Sequence, residues 1–103
     1  TAIGRTTLSR PVALVLNSGL LSSDKSFLDF GCGRGDDVRG LHQLGFNAAG
    51  WDPFHRPDGS LKPADVVNLG YVLNVIADQT ERAQALQRAW SLATRVLVVA
   101  ARL

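Results

Sequence analysis

The residues best suited to bind a small molecule form a glycine-rich run, Asp29-Phe30-Gly31-Cys32-Gly33-Arg34-Gly35. Glycines let the backbone turn sharply and allow a ligand to approach without interference from a Cβ atom. The run follows an apolar segment and precedes residues with helical spacing, which is the strand–turn–helix context that such a site requires. The pattern favours a ligand site at the end of a strand, while a tight turn made for packing alone is the alternative.

The spacing of the glycines indicates which ligand the turn could bind. A dinucleotide fingerprint, G-x-G-x-x-G, would place its third glycine at position 36, where the chain has Asp36. Asp36 and Asp37 would oppose a pyrophosphate, so a nicotinamide-dependent oxidoreductase is disfavoured. A ligand without a phosphate at the turn fits better, and one that carries an ammonium group is electrostatically compatible with Asp29.

Asp52 ends a second predicted strand, about 20 residues beyond the glycine turn, where nucleotide-binding α/β folds place an acid for the ribose. A carboxylate accepts hydrogen bonds from two vicinal hydroxyl groups at once. An aspartate that starts a turn before Pro53 is the alternative interpretation. Its neighbour Trp51 is more typical of a packing residue, but it could form a wall of the pocket.

Asn68 and Tyr71 follow a third predicted strand at the same carboxyl edge of the sheet. An asparagine side chain can orient a target amine by accepting its protons, and a tyrosine ring can stack on a planar base. A strand end with a core tyrosine explains the same residues slightly better. Cys32 could be a nucleophile near a helix N-terminus, but the sequence offers it no base partner.

Alternating elements must position these residues. Helices are predicted from Arg10, after the glycine turn, and after Asp78, where Glu81 has capping-box spacing. The last helix has an apolar face, which consists of Leu86, Ala89, Trp90 and Ala93. Strands are predicted at 27–30, 47–52, 65–69 and 95–101, with a loop from Pro53 to Pro63. The last strand is apolar on both faces, as a covered parallel strand would be. This order predicts an α/β fold with a mostly parallel sheet of about four strands and flanking helices.

Composition excludes several classes of protein. With 103 residues, 46% of them hydrophobic, the chain has room for one domain and is too apolar for a disordered one. No stretch approaches the roughly 20 apolar residues of a membrane span, and no membrane partner is expected. The single cysteine and the lack of an apolar signal core make a cytoplasmic location the default.

The formal charge of +2 produces only a weak electrostatic field, and the arginines are scattered along the chain. A mixed His55, Asp52 and Asp58 set lacks a recognised metal spacing, so no metal is predicted.

The chain resembles the class I S-adenosylmethionine-dependent methyltransferases. The residues that carry the resemblance are Leu28 to Gly35, Trp51-Asp52-Pro53, and Asp65-Val66-Val67-Asn68. A narrower resemblance is to the methyltransferases associated with DNA phosphorothioation. It rests on Thr1-Ala2-Ile3-Gly4-Arg5 with Leu8-Ser9-Arg10-Pro11, on Gly50-Trp51-Asp52-Pro53 with His55-Arg56-Pro57-Asp58-Gly59, and on Ala64 to Tyr71. It covers nearly the whole chain but only the N-terminal part of those longer proteins, so residues 1–103 are expected to be one S-adenosylmethionine-binding domain, truncated from a longer chain.

The resemblance implies a Rossmann-like core and a role for each matching residue. Gly31, Cys32, Gly33 and Gly35 would cradle the methionine part of S-adenosylmethionine, with Asp29 near its amino group. Asp52 would hold the ribose hydroxyls, and Asn68 would lie near the transferable methyl group. The family's third strand, with its adenine-binding acid, has no counterpart, and Leu69-Gly70 stands where the amine-methylating motif has two prolines.

The function implied is methyl transfer linked to DNA phosphorothioation, with DNA or a DNA-modification complex as partner. Displacement at a sulfonium methyl group needs positioning more than acid–base groups, which fits a chain without an evident catalytic histidine or cysteine. The alternative is a non-catalytic module that binds S-adenosylmethionine or assembles a nucleic-acid modification system. The sequence leaves the methyl acceptor and the oligomeric state open.

Overall fold

A computed structural model describes residues 8–59, 61–70 and 78–100 of the chain. The strands within this part form one parallel sheet in the order β2-β1-β3-β4. The elements follow along the chain as α1 (Arg10–Asn17), β1 (Ser26–Phe30), α2 (Asp36–Gln43), β2 (Asn47–Trp51), β3 (Ala64–Leu69), α3 (Gln79–Leu92) and β4 (Ala93–Val99). This arrangement confirms the predicted α/β fold with its small parallel sheet.

Local sequence signals explain where the helices begin. Pro11 occupies the first turn of α1, where its missing N–H costs no hydrogen bond. Asp36 and Asp37 lie in the first turn of α2, where the helix dipole favours negative charge. Asp78 caps α3, because its carboxylate accepts hydrogen bonds from the backbone N–H groups of Thr80 (2.7 Å) and Glu81 (3.1 Å). Each helix therefore starts where the sequence predicts.

The sheet separates two apolar clusters, and the alternation of side chains along the strands decides which residue joins which. Phe27 and Val66 pack with helices α1 and α2, whereas Leu28, Phe30 and Val67 pack on the α3 side. Successive side chains of a strand point to opposite faces, so Asp29 and Asn68 share the face that α1 and α2 cover. The pleat thus places both polar residues on one side of the sheet.

Strand β4 and helix α3 differ from the sequence-based expectation. Strand β4 pairs only with β3 in the described sheet, and none of its residues is fully buried. Val96 and Val98 pack toward the α1–α2 cluster and Leu97 packs on the α3 side, so both faces of β4 are covered as predicted, but only partly. It begins at Ala93, directly after α3, and Ala93 pairs with Ala64 instead of extending the helix face. Of that predicted face only Ala89 is buried, and Trp90 is 69% exposed.

The segment between β2 and β3 contains no helix or strand in its described residues, 52–59 and 61–63, as the loop prediction expects. Its only ladder contact there is an isolated antiparallel bridge between Asp52 and Arg56. Among the described residues, no helix combines the length and the apolar character that crossing a membrane requires.

Replacing Gly50 by alanine is expected to destabilise the fold. A Cβ atom at this position of β2 would lie 2.8 Å from the Sγ atom of Cys32 and 2.9 Å from the Cγ2 atom of Val38. Overpacking of this kind costs about 1–3 kcal/mol, which urea unfolding would measure. Cys32→Ala in the same chain should recover part of the loss. A Gly50→Ala protein as stable as the wild type would contradict the described packing.

Candidate functional site

The glycine turn between β1 and α2 uses conformations that other residues avoid. Gly31, Gly33 and Gly35 have φ angles of 88°, 56° and 86°, all in the left-handed region. No described residue other than glycine has a positive φ. A side chain at these positions would strain the backbone, so the three glycines are required by conformation.

The end of β2 holds this turn through backbone hydrogen bonds. The carbonyl oxygen of Trp51 accepts the N–H groups of Gly31 (2.7 Å) and Cys32 (2.9 Å). One carboxylate oxygen of Asp52, Oδ1, accepts the N–H of Gly33 (3.0 Å), and the N–H of Gly35 bonds within the turn to the carbonyl of Cys32 (2.9 Å). Because these N–H groups already donate hydrogen bonds within the protein, they are not free to bind a pyrophosphate. This agrees with the glycine spacing, which disfavours a dinucleotide ligand.

Asp52 is buried at the carboxyl end of β2 and is nearly saturated with hydrogen bonds. Its second oxygen, Oδ2, accepts the N–H groups of Phe54 (3.0 Å) and His55 (2.9 Å). Burial opposes ionisation, but the three backbone donors hold the pKa of Asp52 below its ordinary value. A carboxylate offers about four acceptor positions, so roughly one remains for a ligand hydroxyl.

Asp29 and Asn68 lie opposite each other on β1 and β3 and are almost inaccessible, at 3% and 2% exposure. The Nδ2 group of Asn68 donates to Oδ1 of Asp29 at 3.1 Å, whereas the Oδ1 atom of Asn68 has no hydrogen-bond partner among the described residues. Burial raises the pKa of Asp29 from 3.8 to about 7; the Asn68 hydrogen bond opposes this rise, and the charges of Asp37 and Asp52 add to it. An ionisable acceptor and an unpaired one therefore lie side by side.

Both side chains line a cavity of about 430 Å³ that opens between the glycine turn and helix α1. The volume falls within the range of small-molecule sites. Its lining contains three acids, Asp29, Asp36 and Asp37, and one arginine, Arg34, so the excess of acids suits a ligand with positive charge. Gly31, Cys32 and Gly33 also line it, which brings most of the predicted cofactor-binding residues together.

Two residues of the cavity lining, Ser9 and Asp37, make a contact that the sequence did not reveal. The carboxylate of Asp37 accepts both the backbone N–H (2.6 Å) and the hydroxyl (2.7 Å) of Ser9, which precedes α1. Ser9 therefore makes no side-chain cap on its own helix. The sequence identified Asp37 only as a first-turn acid, because the two residues are 28 positions apart.

Several predicted site residues lie away from the cavity lining. The ring of Trp51 belongs to the α3 side of the sheet, with its centroid 5.0 Å from that of Phe30 and its Nε1 group donating to the Pro57 carbonyl at 3.2 Å. The structure thus gives Trp51 a packing role. Gly35 and Asp52 are not among the lining residues of the cavity. Tyr71 lies outside the described residues.

Cys32 shows no sign of an activated nucleophile. Burial, together with the negative charges of Asp29 and Asp52, raises the pKa of its thiol to about 11. The thiol remains protonated at neutral pH, and its sulfur packs against Gly50. Its small size, and not its reactivity, suits it to the turn.

Phe54 is a candidate that the sequence interpretation missed. Its ring is 83% exposed although its backbone N–H is fixed by Asp52. An exposed aromatic ring two residues after an acid could stack on a planar base. The available signal was an aromatic residue in an otherwise polar and proline-rich loop.

Comparison with known proteins adds one finding to this geometry. A family model described as a methyltransferase domain matches residues 4–99, which is nearly the whole chain. Comparisons with curated proteins and with solved structures give no significant match.

Replacing Asp29 by asparagine is expected to stabilise the free protein at alkaline pH. Because burial raises the pKa of Asp29 from 3.8 to about 7, its ionisation weakens the fold progressively as pH rises from about 4 to about 7. Above that range the loss is roughly 4 kcal/mol, and the asparagine avoids it.

Urea unfolding at pH 5 and pH 8 measures this effect. The stability gained by Asp29→Asn should be larger at pH 8, whereas Asp58→Asn, which removes an exposed carboxylate, should give no comparable gain. An Asp29→Asn protein less stable than the wild type at pH 8 would show that the carboxylate serves the fold.

Proposed function

The chain belongs to the methyltransferase-domain family, and from that premise we propose that it binds S-adenosylmethionine in the cavity beside the glycine turn and transfers the methyl group. The observation that carries the proposal is the pair formed by Asp29 and Asn68. Two buried acceptors, one of them without a partner, line an acidic cavity large enough for such a ligand.

The pair is suited to an ammonium group. A buried acceptor without a hydrogen bond costs about 1–3 kcal/mol, which a ligand N–H group would recover at the Oδ1 atom of Asn68. Ionised Asp29 would supply the opposite charge, since hydrogen bonds between charged partners are the stronger ones. In this proposal Asp29 and Asn68 bind the amino group of the methionine part, and Asn68 acts on methyl transfer only by holding the cofactor in place.

The nucleoside part would extend over the turn toward Asp52 and Phe54. No atom lies within 4 Å of a Cβ position built at Gly33, so the space above this glycine is open between the cavity and Asp52. The remaining acceptor position of Asp52 would take a ribose hydroxyl, and the exposed ring of Phe54 would stack on the adenine. Phe54 would thereby contribute to adenine binding in a chain without the family's third strand.

The chemistry needs little from the protein beyond placement. S-adenosylmethionine would supply a methyl group on a positively charged sulfur: the acceptor would bond to the methyl carbon as the carbon–sulfur bond breaks, and the sulfur would leave as the neutral thioether, S-adenosylhomocysteine. Asn68 would hold the cofactor in place, while Cys32 stays protonated and takes no part. Tyr71 remains a predicted catalytic residue whose placement lies outside the described residues.

The finer assignment rests on sequence resemblance alone. We propose that the acceptor belongs to a DNA-modification system connected with phosphorothioation, so that DNA or a modification complex is the partner. Residues 1–103 would then form one S-adenosylmethionine-binding domain. The cytoplasmic location stays a prediction from composition.

A non-catalytic S-adenosylmethionine-binding module is the second candidate. It is favoured by Asp52, whose carboxylate already accepts three backbone hydrogen bonds and so serves the fold as well as a ligand. This candidate predicts binding of S-adenosylmethionine without transfer of the methyl group to any DNA.

Calorimetric titration with two related ligands tests the proposed site. S-adenosylmethionine carries the amino-acid part, whereas 5′-methylthioadenosine lacks it. At pH 8 the wild type should bind both. Asp29→Asn should weaken S-adenosylmethionine by about 10- to 100-fold, because a hydrogen bond between charged groups contributes about 1.5–3 kcal/mol. Its affinity for 5′-methylthioadenosine should stay close to that of the wild type.

Asp58→Asn is the matched control, since it removes an exposed carboxylate and should change neither affinity. A wild type that does not bind S-adenosylmethionine would contradict the proposal. Equal weakening of both ligands by Asp29→Asn would contradict the role of Asp29.

Phe54→Ala tests the placement of the adenine. Stacking of a base on an aromatic ring contributes about 1–3 kcal/mol, so this variant should bind both ligands at least about fivefold more weakly. Phe54→Trp should keep the affinity because it preserves the ring face. If Phe54→Ala bound both ligands as tightly as the wild type, the proposed stacking of the adenine on Phe54 would be contradicted.

A further inference from the structure

The side chains of Arg39 and Arg56 meet at the backbone of a third arginine, Arg34, in the glycine turn. The carbonyl oxygen of Arg34 accepts hydrogen bonds from Nη1 of Arg39 (2.8 Å) and from Nη2 of Arg56 (3.4 Å). The Arg56 guanidinium lies against the turn, because a Cβ atom at Gly35 would be 2.9 Å from its Nε atom. All three arginines are exposed, and the fold brings the side chains of Arg39 and Arg56 to Arg34 although the three are separated along the chain.

The elements that build the cavity also build this arginine cluster. Arg34 belongs to the glycine turn and lines the cavity, and Arg39 lies on α2. Arg56 is placed by the tight turn that Asp52 begins, in which the backbones of Asp52 and Arg56 exchange hydrogen bonds of 3.0 and 3.1 Å. Arg34 therefore lies at the cavity itself, and Arg39 and Arg56 are held next to it through its carbonyl oxygen.

The charges of the cluster are only partly balanced. Arg39 forms an ion pair with Asp36. In the described part of the chain, Arg34 and Arg56 form no ion pair. In the cavity lining, three acids outnumber the one arginine, Arg34, whereas Arg39 and Arg56 lie outside that lining. This separation fits two different ligands, a cationic small molecule inside and an anion outside.

We propose that Arg34, Arg39 and Arg56 bind the phosphodiester backbone of the nucleic acid that carries the methyl acceptor. Guanidinium groups bind phosphate oxygens through paired hydrogen bonds. Three exposed cations spread over an open border fit consecutive phosphates of a polymer, whereas a free mononucleotide would need an enclosed pocket. The identity of this nucleic acid as the acceptor rests on the proposed function, but its binding does not.

Salt dependence of DNA binding tests the proposal. Fluorescence anisotropy with a labelled 20-base-pair duplex, measured without S-adenosylmethionine, gives the affinity between 50 and 200 mM NaCl. Three phosphate contacts should weaken wild-type binding about 40-fold over this range, whereas the double variant Arg34→Gln/Arg56→Gln, with one contact left, should show about a fourfold change. At 50 mM the double variant should also bind more weakly than the wild type.

Arg95→Gln is the matched control, because it removes the same charge from an exposed position on β4, away from the cavity. It should keep the affinity and the salt dependence of the wild type. Three results would overturn the proposal: no DNA binding at 50 mM salt, a double variant that behaves like Arg95→Gln, or equal competition by polyglutamate of the same charge. If the protein did not bind S-adenosylmethionine, the proposed function would be rejected, but salt-dependent DNA binding by these arginines would still support the present proposal.

Discussion

The attachment of the glycine turn to the end of β2 is the constraint on which the site depends. The Trp51 carbonyl and the Asp52 carboxylate together accept three N–H groups of the turn, which fixes its left-handed glycines. A cavity lined by Asp29 and Asn68 opens beside the turn. With its donors engaged, the turn contributes shape to the site, and the surrounding acids contribute charge.

Asp29 shows how the fold and the proposed ligand compete for the same residue. Burial makes its carboxylate unfavourable when ionised, and a neutral side chain of the same size would fit the free protein better. A fold optimised for stability alone would not retain this acid beside an unpaired amide oxygen. A cationic ligand resolves both defects at once, which is why the pair supports a binding function more strongly than the glycine pattern does.

Local and periodic features of the site could be predicted from the sequence, and contacts between distant segments could not. The glycine spacing marks the turn, and the common edge of parallel strands brings Asp29 and Asn68 together. Strand alternation also assigns Trp51, the register partner of Phe30, to the α3 side of the sheet. The prediction that Trp51 forms a wall of the pocket did not take this alternation into account. The Ser9–Asp37 contact and the meeting of Arg34 with Arg56 depend on how helix α1 and the loop after β2 fold back, which no local pattern encodes.

The most direct test of the central claim is a crystal structure of the chain grown with saturating S-adenosylmethionine. The account predicts ligand density in the cavity beside the glycine turn. Its amino nitrogen should lie within hydrogen-bonding distance of Asp29 and of the free oxygen of Asn68, and a ribose hydroxyl should bond to Asp52. An empty cavity, or density bound elsewhere on the chain, would contradict the account.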